Sequence, residues 1–180
     1  MEQIDIAVIG AGAIGLAVAC EFAGDDRNIV VLETHPRYGV ETSSRNSEVV
    51  HAGIYYPPNS LKSNLCHEGR RRLYALAEKE RLFIKKTGKL VVATNTQEVT
   101  QLETILKRGQ ESGAEGLRVI DSSETKRLVP ELKVEAALWS PESGIMDSEE
   151  LMQYTYQRAL DQGVMFLFKT PLLHVDRKDQ

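Results

Sequence analysis

Residues 4–33 read IDIAVIGAGAIGLAVACEFAGDDRNIVVLE. A run with strand character leads into three glycines with the spacing Gly-X-Gly-X-X-Gly, namely Gly10, Gly12 and Gly15. In a dinucleotide-binding βαβ unit these glycines permit a tight turn, a close approach to pyrophosphate and close packing of helix on strand. The helix that follows directs N–H groups at the phosphates, so Ala13 and Ile14 are predicted to contribute contacts. The stretch predicts an α/β fold that begins with a nucleotide-binding unit.

Glu33 ends the second apolar run of this stretch, 18 residues after Gly15. An acid at this distance accepts hydrogen bonds from the hydroxyls of an adenosine ribose and repels a 2′-phosphate. The strand, the helix and the acid together predict a bound ADP moiety; the alternative is a glycine turn that serves packing only. The fingerprint leaves open whether the ADP belongs to FAD or to NAD.

Length, composition and net charge limit the size of the core and the kinds of partner that the protein is expected to bind. The chain of 180 residues suffices for one sizeable core, or for one domain and part of another. A net charge of −4 with a pI near 5.6 predicts no nucleic-acid partner. The basic run Arg70-Arg71-Arg72 is interpreted as a solvated helix face, with contact to a membrane or a partner as the alternative.

Cysteine usage and hydropathy predict a compartment. Cys20 and Cys66 lack the spacing of a metal site or a disulfide framework, so we expect two buried thiols in a reducing environment and no metal. The first strand begins too early for a leader peptide, and no apolar run has the length of a membrane span. We therefore expect a cytoplasmic protein.

Periodicity and capping signals predict the remaining elements. A helix capped by Asn59 or Ser60 should present an apolar stripe, and a turn is expected at 144–147. The members of the stripe are Leu61, Leu65, Leu73, Leu76 and Ala77. Further strands are predicted within 83–94, 117–120, 136–139 and 164–168, and further helices within 96–109, from 121 to about 130, and 148–162.

The order of these elements predicts the domain organisation. Residues 1–82 are expected to form a Rossmann-like FAD-binding part with its following loop and helix, and 83–140 part of a substrate domain. Residues 141–180 are expected to return to the FAD-binding domain, with a buried strand at 164–168 as the third parallel strand of the opening sheet.

A polar segment follows the second strand and carries a family resemblance. Residues 41–47, ETSSRNS, are suited to hydrogen-bonding a cofactor, with a surface loop as the alternative. The longer run TSSRNSEVVHAGIYYPPNSLKSNLCHEGRRRLY, residues 42–74, resembles the signature of FAD-dependent L-2-hydroxyglutarate dehydrogenases or oxidases. These enzymes belong to the glycine-oxidase and D-amino-acid-oxidase superfamily, which the stretches SGIMDSEELMQ and KTPLLHV also resemble.

The resemblance implies FAD as cofactor and a parallel-sheet FAD-binding domain with an inserted, incomplete α+β substrate domain. It implies that Gly10, Gly12 and Gly15 bind the pyrophosphate and that Glu33 binds the ribose. It places the backbone at Leu172 beside the adenine. The residues that would follow FAD towards its isoalloxazine ring are Thr42, Ser43, Ser44, Arg45, Asn46 and Ser47.

Residue chemistry suggests three catalytic candidates. Oxidation of a 2-hydroxy acid requires a base for the hydroxyl proton, and a neutral imidazole suits that role near neutral pH. His51, beside the small Ala52 and Gly53, is the candidate base; the alternative is a histidine that binds flavin or backbone. Arg45 is a candidate carboxylate anchor or phosphate partner, and Tyr55 a candidate hydroxyl donor or packed side chain.

The leading hypothesis is oxidation of L-2-hydroxyglutarate, a 2-hydroxy dicarboxylate, to 2-oxoglutarate, with oxygen or a membrane quinone as electron acceptor. Quinone as acceptor would require peripheral contact with the inner membrane. The alternatives are an amine or amino-acid oxidase of the glycine-oxidase type, a truncated non-catalytic FAD-binding chain and an NAD-dependent dehydrogenase. Members of the family are longer, so we expect a C-terminal half to be missing from this chain.

Overall fold

The computed structural model describes residues 3–24 and 26–176 and confirms the βαβ start. In chain order the elements are β1 (Ile6–Ile9), α1 (Ala13–Phe22), β2 (Ile29–Leu32), β3 (Val49–Val50), α2 (Leu61–Glu80), β4 (Ile84–Lys85), β5 (Lys89–Ala93), α3 (Thr96–Glu111), β6 (Arg118–Asp121), α4 (Ser122–Leu128), β7 (Ala136–Ser140), β8 (Gly144–Met146), α5 (Ser148–Asp161) and β9 (Met165–Leu167). A short 3₁₀ helix occupies Thr42–Ser44.

The chain divides into two compact units. Unit 1 comprises residues 1–47 and 147–180, and unit 2 comprises residues 48–146. The expected segments 1–82, 83–140 and 141–180 divide the chain at other points, because residues 48–82 and 141–146 belong to unit 2. The assignment of a FAD-binding and a substrate role to those segments stays a prediction, and residues 177–180 lie outside the described residues.

Unit 1 is built on a parallel sheet in the order β1–β2–β9. The return of the chain to this sheet as its third parallel strand is confirmed. One face of the sheet packs against α1 and α5, and the core there includes Val8, Leu16, Val31 and Met152. The small Ala19 of α1 is fully buried in the same core, which keeps this part of the helix thin.

Strand β9 is only half buried, which corrects the expectation of a buried strand. Val164 and Phe166 belong to the core side, whereas Met165 and Leu167 are 44% and 41% exposed. Successive side chains of a strand point to opposite faces, and Met165 and Leu167 lie on the face away from the core of unit 1. The apolar composition of the segment therefore predicted more burial than the structure shows.

Unit 2 contains two antiparallel sheets, in the orders β3–β8–β4 and β5–β7–β6. Helix α3 packs on the second sheet around Leu102, Leu117 and Leu138. The expected turn at 144–147 is wrong, because Gly144–Met146 forms β8 between two strands of only two residues each. Strands this short show no alternation that a sequence pattern can reveal.

Helix α2 buries a polar face, so the predicted apolar stripe is wrong in its first half. Ser60 caps the helix as expected, by accepting a hydrogen bond from the Ser63 backbone N–H at 3.1 Å. The stripe members Leu61 and Leu65 are 73% and 56% exposed. The buried positions are instead polar and spaced by four and three residues: Ser63, His67 and Arg70.

The buried positions of α2 bind the loop after α3. Ser63 Oγ donates a hydrogen bond to the Ser112 carbonyl at 3.2 Å, and His67 Nε2 contacts the same oxygen at 2.8 Å. These bonds compensate the burial of Ser63 Oγ and His67 Nε2, whereas His67 Nδ1 is buried without a hydrogen-bond partner among the described residues. The sequence offered no apolar signal for this interface, because hydrogen bonds form much of it.

Arg70 corrects the interpretation of the basic run. It is 2% exposed, and its Nη2 and Nη1 lie 3.3 and 3.5 Å from carboxylate oxygens of Glu115 and Glu142. Arg71 and Arg72 pair with Glu115 and Glu68 at the surface, as a solvated face requires. Three consecutive arginines on a helix point in three directions, so the run mixes a buried cation with exposed ones.

The two cysteines are free thiols that are partly exposed, which corrects the expectation that both are buried. The Cys66 thiol donates to the His51 carbonyl, with Sγ at 3.3 Å from the oxygen. Burial raises the pKa of both thiols, so both are protonated at neutral pH.

Candidate functional site

Three glycines shape the turn between β1 and α1. Gly10 has φ +94°, a conformation that glycine adopts without steric cost. A Cβ atom at Gly15 would lie 1.9 Å from the Gly10 carbonyl oxygen, so only glycine lets the helix approach the turn this closely. A Cβ atom at Gly12 would lie 2.9 Å from Ser43 Oγ. The glycine spacing therefore corresponds to a compact turn that opens onto the helix N-terminus.

The N-terminus of α1 presents free backbone donors. Ala13 N–H donates to Ser43 Oγ at 2.9 Å, while within the described residues the N–H groups of Ile14 and Gly15 have no hydrogen-bond acceptor. No acidic side chain lies in the first turn. Free N–H groups at the positive end of a helix dipole favour an anion, so this end of α1 fits a pyrophosphate.

Glu33 is held rigidly beside this turn. It is 9% exposed; its Oε2 accepts from Ala11 N–H at 2.7 Å, and its Oε1 accepts from His35 N–H at 2.8 Å. Each carboxylate oxygen keeps a second acceptor site, which suits the two hydroxyls of a ribose. The Thr170 N–H donates to the Glu33 carbonyl at 2.8 Å, and the exposed Leu172 follows two residues later.

The polar segment 42–47 contributes one side chain to the helix N-terminus, that of Ser43. Ser44 Oγ lies 3.0 and 2.9 Å from the carbonyls of Val40 and Glu41 and donates within its own loop. Asn46 Nδ2 donates to the Ser43 carbonyl at 2.8 Å and to Ser148 Oγ at 2.9 Å. Both side chains therefore shape the loop that holds Ser43.

Several predicted site residues of this segment have no contact that assigns them a role. Arg45 is exposed and forms no ion pair with the residues that the structure describes. Thr42 and Ser47 are exposed as well. Their roles beside the flavin, and that of Arg45 as a carboxylate anchor, stay predictions.

The catalytic candidates His51 and Tyr55 both belong to unit 2. Burial is the main cause that lowers the pKa of His51 below its ordinary value, and the positive charges of Lys89 and Lys62 lower it further. The imidazole is therefore neutral at neutral pH, as a base must be. Burial raises the pKa of Tyr55, which keeps its hydroxyl as a donor.

A cleft of about 230 Å³ lies beside His51. Its mainly apolar walls include Val50, Tyr56, Leu65, Cys66 and Met146, and Arg70 lines it as well. Lys62 and Lys89, which the sequence pattern did not single out, place their ammonium groups over the rings of Tyr56 and Tyr55, with Nζ 4.7 and 5.2 Å from the ring centroids. A single lysine carries no pattern that would have revealed this placement.

Two expected absences concern metals and membranes. Among the described residues, no group of three or more His, Cys, Asp or Glu side chains is arranged to hold a metal ion. In the same residues no helix combines the length and the hydropathy that crossing a membrane requires.

Relatives by sequence are L-2-hydroxyglutarate dehydrogenases. The chain is 44% identical over 160 residues to the mitochondrial L-2-hydroxyglutarate dehydrogenase of Arabidopsis thaliana, covering 89% of this chain and 33% of the relative. It is 34% identical over 152 residues to the human enzyme of the same name, covering 83% of this chain and 33% of the relative. The chain thus spans about a third of the length of these relatives. Their names place them in mitochondria, so the expected cytoplasmic location is not confirmed.

Solved structures share the fold. L-α-glycerophosphate oxidase from Mycoplasma pneumoniae, solved with FAD bound, superposes with a TM-score of 0.85 at 27% identity, over 94% of this chain and 45% of that one. Glycine oxidase from Bacillus cereus superposes with a TM-score of 0.87 at 20% identity, over 98% of this chain and 50% of that one, a likeness that shows the fold alone. An α/β FAD-binding fold with a parallel sheet is therefore confirmed.

One family model covers almost the whole chain. Residues 5–180 match the family described as FAD dependent oxidoreductase. The family resolves the choice between FAD and NAD that the glycine fingerprint left open, and it confirms the resemblance found in residues 42–74. The chain belongs to the family of FAD-dependent oxidoreductases.

Proposed function

We propose that the protein binds FAD and oxidises L-2-hydroxyglutarate to 2-oxoglutarate. The observation that carries the substrate is the 44% identity to an L-2-hydroxyglutarate dehydrogenase, which extends over 89% of the chain and so includes most of both units. The likeness to glycine oxidase concerns the fold alone, so no specific observation favours an amine or amino-acid substrate.

Unit 1 supplies the cofactor contacts in this proposal. The N–H groups of Ile14 and Gly15 and the hydroxyl of Ser43 bind the pyrophosphate, and Glu33 accepts hydrogen bonds from the ribose. The backbone at Leu172 lies beside the adenine. The remaining polar residues of the loop, Thr42, Ser44, Arg45, Asn46 and Ser47, follow the rest of the cofactor. When bound, the flavin supplies the acceptor for the two electrons and the α-hydrogen of the substrate.

Unit 2 supplies the substrate contacts and forms part of the inserted substrate domain in this proposal. A neutral ring nitrogen of His51 accepts the proton of the substrate hydroxyl, which the lowered pKa of this imidazole favours. The Tyr55 hydroxyl donates a hydrogen bond to a substrate oxygen, as its raised pKa permits. The mainly apolar cleft beside His51 offers a surface for the carbon chain of the substrate.

The electron acceptor in this proposal is oxygen or a membrane quinone. The two are separated by measuring oxygen consumption and the reduction of a soluble quinone during turnover. The comparisons give no support to the peripheral membrane contact that a quinone acceptor led us to expect.

The test is the anaerobic addition of L-2-hydroxyglutarate to the FAD-loaded protein. We expect loss of the visible flavin absorbance, and no loss with glycine or D-2-hydroxyglutarate. Bleaching by glycine instead would establish the amino-acid oxidase alternative, and no bleaching by any of them would support a non-catalytic FAD-binding chain.

The base assignment is tested by His51→Gln. The rate of flavin reduction should fall roughly a hundredfold or more, as expected for loss of a general base. His174→Gln is the matched control, because this exposed histidine of unit 1 pairs with Asp176 and has no assigned role. An unchanged rate in His51→Gln would assign the proton transfer to another group.

A further inference from the structure

Two lysines from different elements converge on the loop that follows His51. Lys62 lies in the first turn of α2, and Lys89 begins β5. Their Nζ atoms lie 4.7 Å from the ring centroid of Tyr56 and 5.2 Å from that of Tyr55. Adjacent residues of one loop thus hold two ammonium groups, each by a cation–π contact.

Neither lysine is neutralised by an acid. Within the described part of the chain, no carboxylate lies at ion-pair distance from Lys62 or Lys89, whereas Lys86 Nζ lies 3.0 Å from Glu142 and Lys79 Nζ 3.3 Å from Glu80. Lys62 also stands where the helix dipole disfavours a cation, with no acid in the same turn. Both ammonium groups therefore keep their hydrogen-bond donors available for an anionic ligand.

Both charges act on the candidate base. Burial is the main cause of the lowered pKa of His51, and the positive charges of Lys89 and Lys62 lower it further, so both lysines lie near enough to act on the imidazole. The two carboxylates of a 2-hydroxy dicarboxylate carry the complementary charge. The sequence-based candidate for this task, Arg45, belongs to unit 1 and has no contact that assigns it the role.

We propose that Lys62 and Lys89 are the carboxylate anchors that select a dicarboxylate in the reaction described under Proposed function, on which this inference rests. Each ammonium group donates hydrogen bonds to one carboxylate, and Tyr55 and Tyr56 hold the two lysine side chains in place. A 2-hydroxy acid with one carboxylate leaves one ammonium group without a partner. The pair therefore determines specificity, while His51 handles the proton.

The test uses the FAD-loaded protein and the variants Lys62→Met and Lys89→Met. Each should weaken binding of glutarate, a dicarboxylate without a hydroxyl to oxidise, by about tenfold or more in calorimetry. For L-2-hydroxyglutarate, KM should rise by a similar factor with a smaller change in kcat. The arginine variants Lys62→Arg and Lys89→Arg should recover part of the binding, because they restore the charge.

Lys85→Met is the matched control. Lys85 also lies over an aromatic ring, that of Phe83, with Nζ 4.7 Å from the centroid, but its charge does not contribute to the pKa of His51. Glutarate binding should be unchanged in this variant. If Lys85→Met lost as much glutarate affinity as the other two variants, the effect would reflect the overall charge of the protein, and the assignment of Lys62 and Lys89 as anchors would be overturned.

The outcomes separate this inference from the proposed function. If the wild-type protein bleaches with L-2-hydroxyglutarate, and both methionine variants keep its KM and glutarate affinity, the proposed function stands and the two lysines are not the carboxylate anchors. If the wild-type protein does not bleach, but both methionine variants bind glutarate more weakly than the wild type, the proposed reaction is overturned and a dicarboxylate site is supported. Wild-type protein that does not bind glutarate overturns the anchors.

Discussion

The candidate cofactor site of unit 1 and the candidate substrate site of unit 2 are built from different parts of the chain. In unit 1 the contacts come from backbone N–H groups at the start of α1, and Glu33 is itself fixed by two backbone donors. In unit 2 they come from side chains, with Lys62 and Lys89 lying over tyrosines beside His51. The first site depends mainly on backbone geometry, with Glu33 and Ser43 as its side-chain members, and the second depends on residue identity.

This difference predicts how each site responds to mutation. A site formed by backbone groups tolerates changes of most side chains, but it is lost when a substitution prevents the backbone from adopting the required conformation. A side-chain site tolerates small backbone adjustments but loses a defined fraction of its function with each residue. Mutations in unit 1 should therefore act on all functions at once, and mutations in unit 2 should separate binding, specificity and proton transfer.

The largest effect is expected for Gly15→Ala. The added Cβ would lie 1.9 Å from the Gly10 carbonyl oxygen, so the helix must move away from the turn. We expect FAD retention to be lost, and the free energy of unfolding to fall by about 3 kcal/mol, as for a severely overpacked site. Gel filtration with flavin absorbance and chemical denaturation measure the two effects.

The control for this change is Gly69→Ala within α2, where no atom lies within 4 Å of the added Cβ. This variant should keep FAD and be more stable by up to about 1 kcal/mol, because alanine favours a helix over glycine. Retention of FAD by Gly15→Ala at the wild-type level would contradict a site built on close backbone packing.

A smaller effect on stability is expected for Glu142→Ala. This change removes one of the two partners of the buried Arg70 guanidinium and also frees Lys86. The free energy of unfolding should fall by about 2 kcal/mol, as for a buried polar group that loses one of its partners, because Glu115 stays beside Arg70. FAD retention should be unchanged. Denaturant titration of the FAD-loaded protein measures the change.

Two variants sharpen the interpretation of this pair. Arg70→Met removes the buried charge itself and should cost less than Glu142→Ala, because Glu115 is half exposed and Glu142 keeps Lys86 as its partner. Glu68→Ala, which breaks an exposed pair with Arg72, should change stability little. Similar losses in Glu142→Ala and Glu68→Ala would show that burial of Arg70 is irrelevant to stability.

The smallest effect is expected in the pH profile of Lys89→Met. The base form of His51 is lost as pH falls through its pKa, so kcat/KM should fall on the acid side. Removing the positive charge of Lys89 raises the pKa of His51, which moves the acid limb to higher pH. Lys85→Met should leave the limb in place. If the acid limb of the kcat/KM profile stays at the same pH in Lys89→Met, the charge of Lys89 does not influence the pKa of the base.

The sequence predicted unit 1 well, because its features are local in the chain. The glycine spacing, the acid at Glu33 and the strand at 164–168 each sit in a short pattern, and the structure confirms the third parallel strand. The contact between Ser43 and the Ala13 N–H joins residues 30 positions apart, so the sequence indicated the segment but not the atom. The half exposure of β9 depends on which sheet face is covered, which its own composition does not reveal.

Unit 2 was predicted less well, because its interactions are polar and distant in sequence. The buried Arg70 pairs with Glu115 and Glu142, which are distant in the sequence. No pattern within α2 distinguishes Arg70 from Arg71. Strand β8 has three residues and pairs with strands of two, which is too short for an alternation to show. Lys62 and Lys89 lie far apart in the sequence, and each contacts one of the adjacent tyrosines Tyr56 and Tyr55, which precede both lysines in the chain.

The central claim is that the backbone site of unit 1 binds FAD. The most direct measurement is the visible spectrum of the purified protein after incubation with FAD and gel filtration, with Gly15→Ala treated alongside. We predict flavin absorbance that travels with the wild-type protein and is absent from the variant. Wild-type protein that emerges folded and without flavin would contradict the claim.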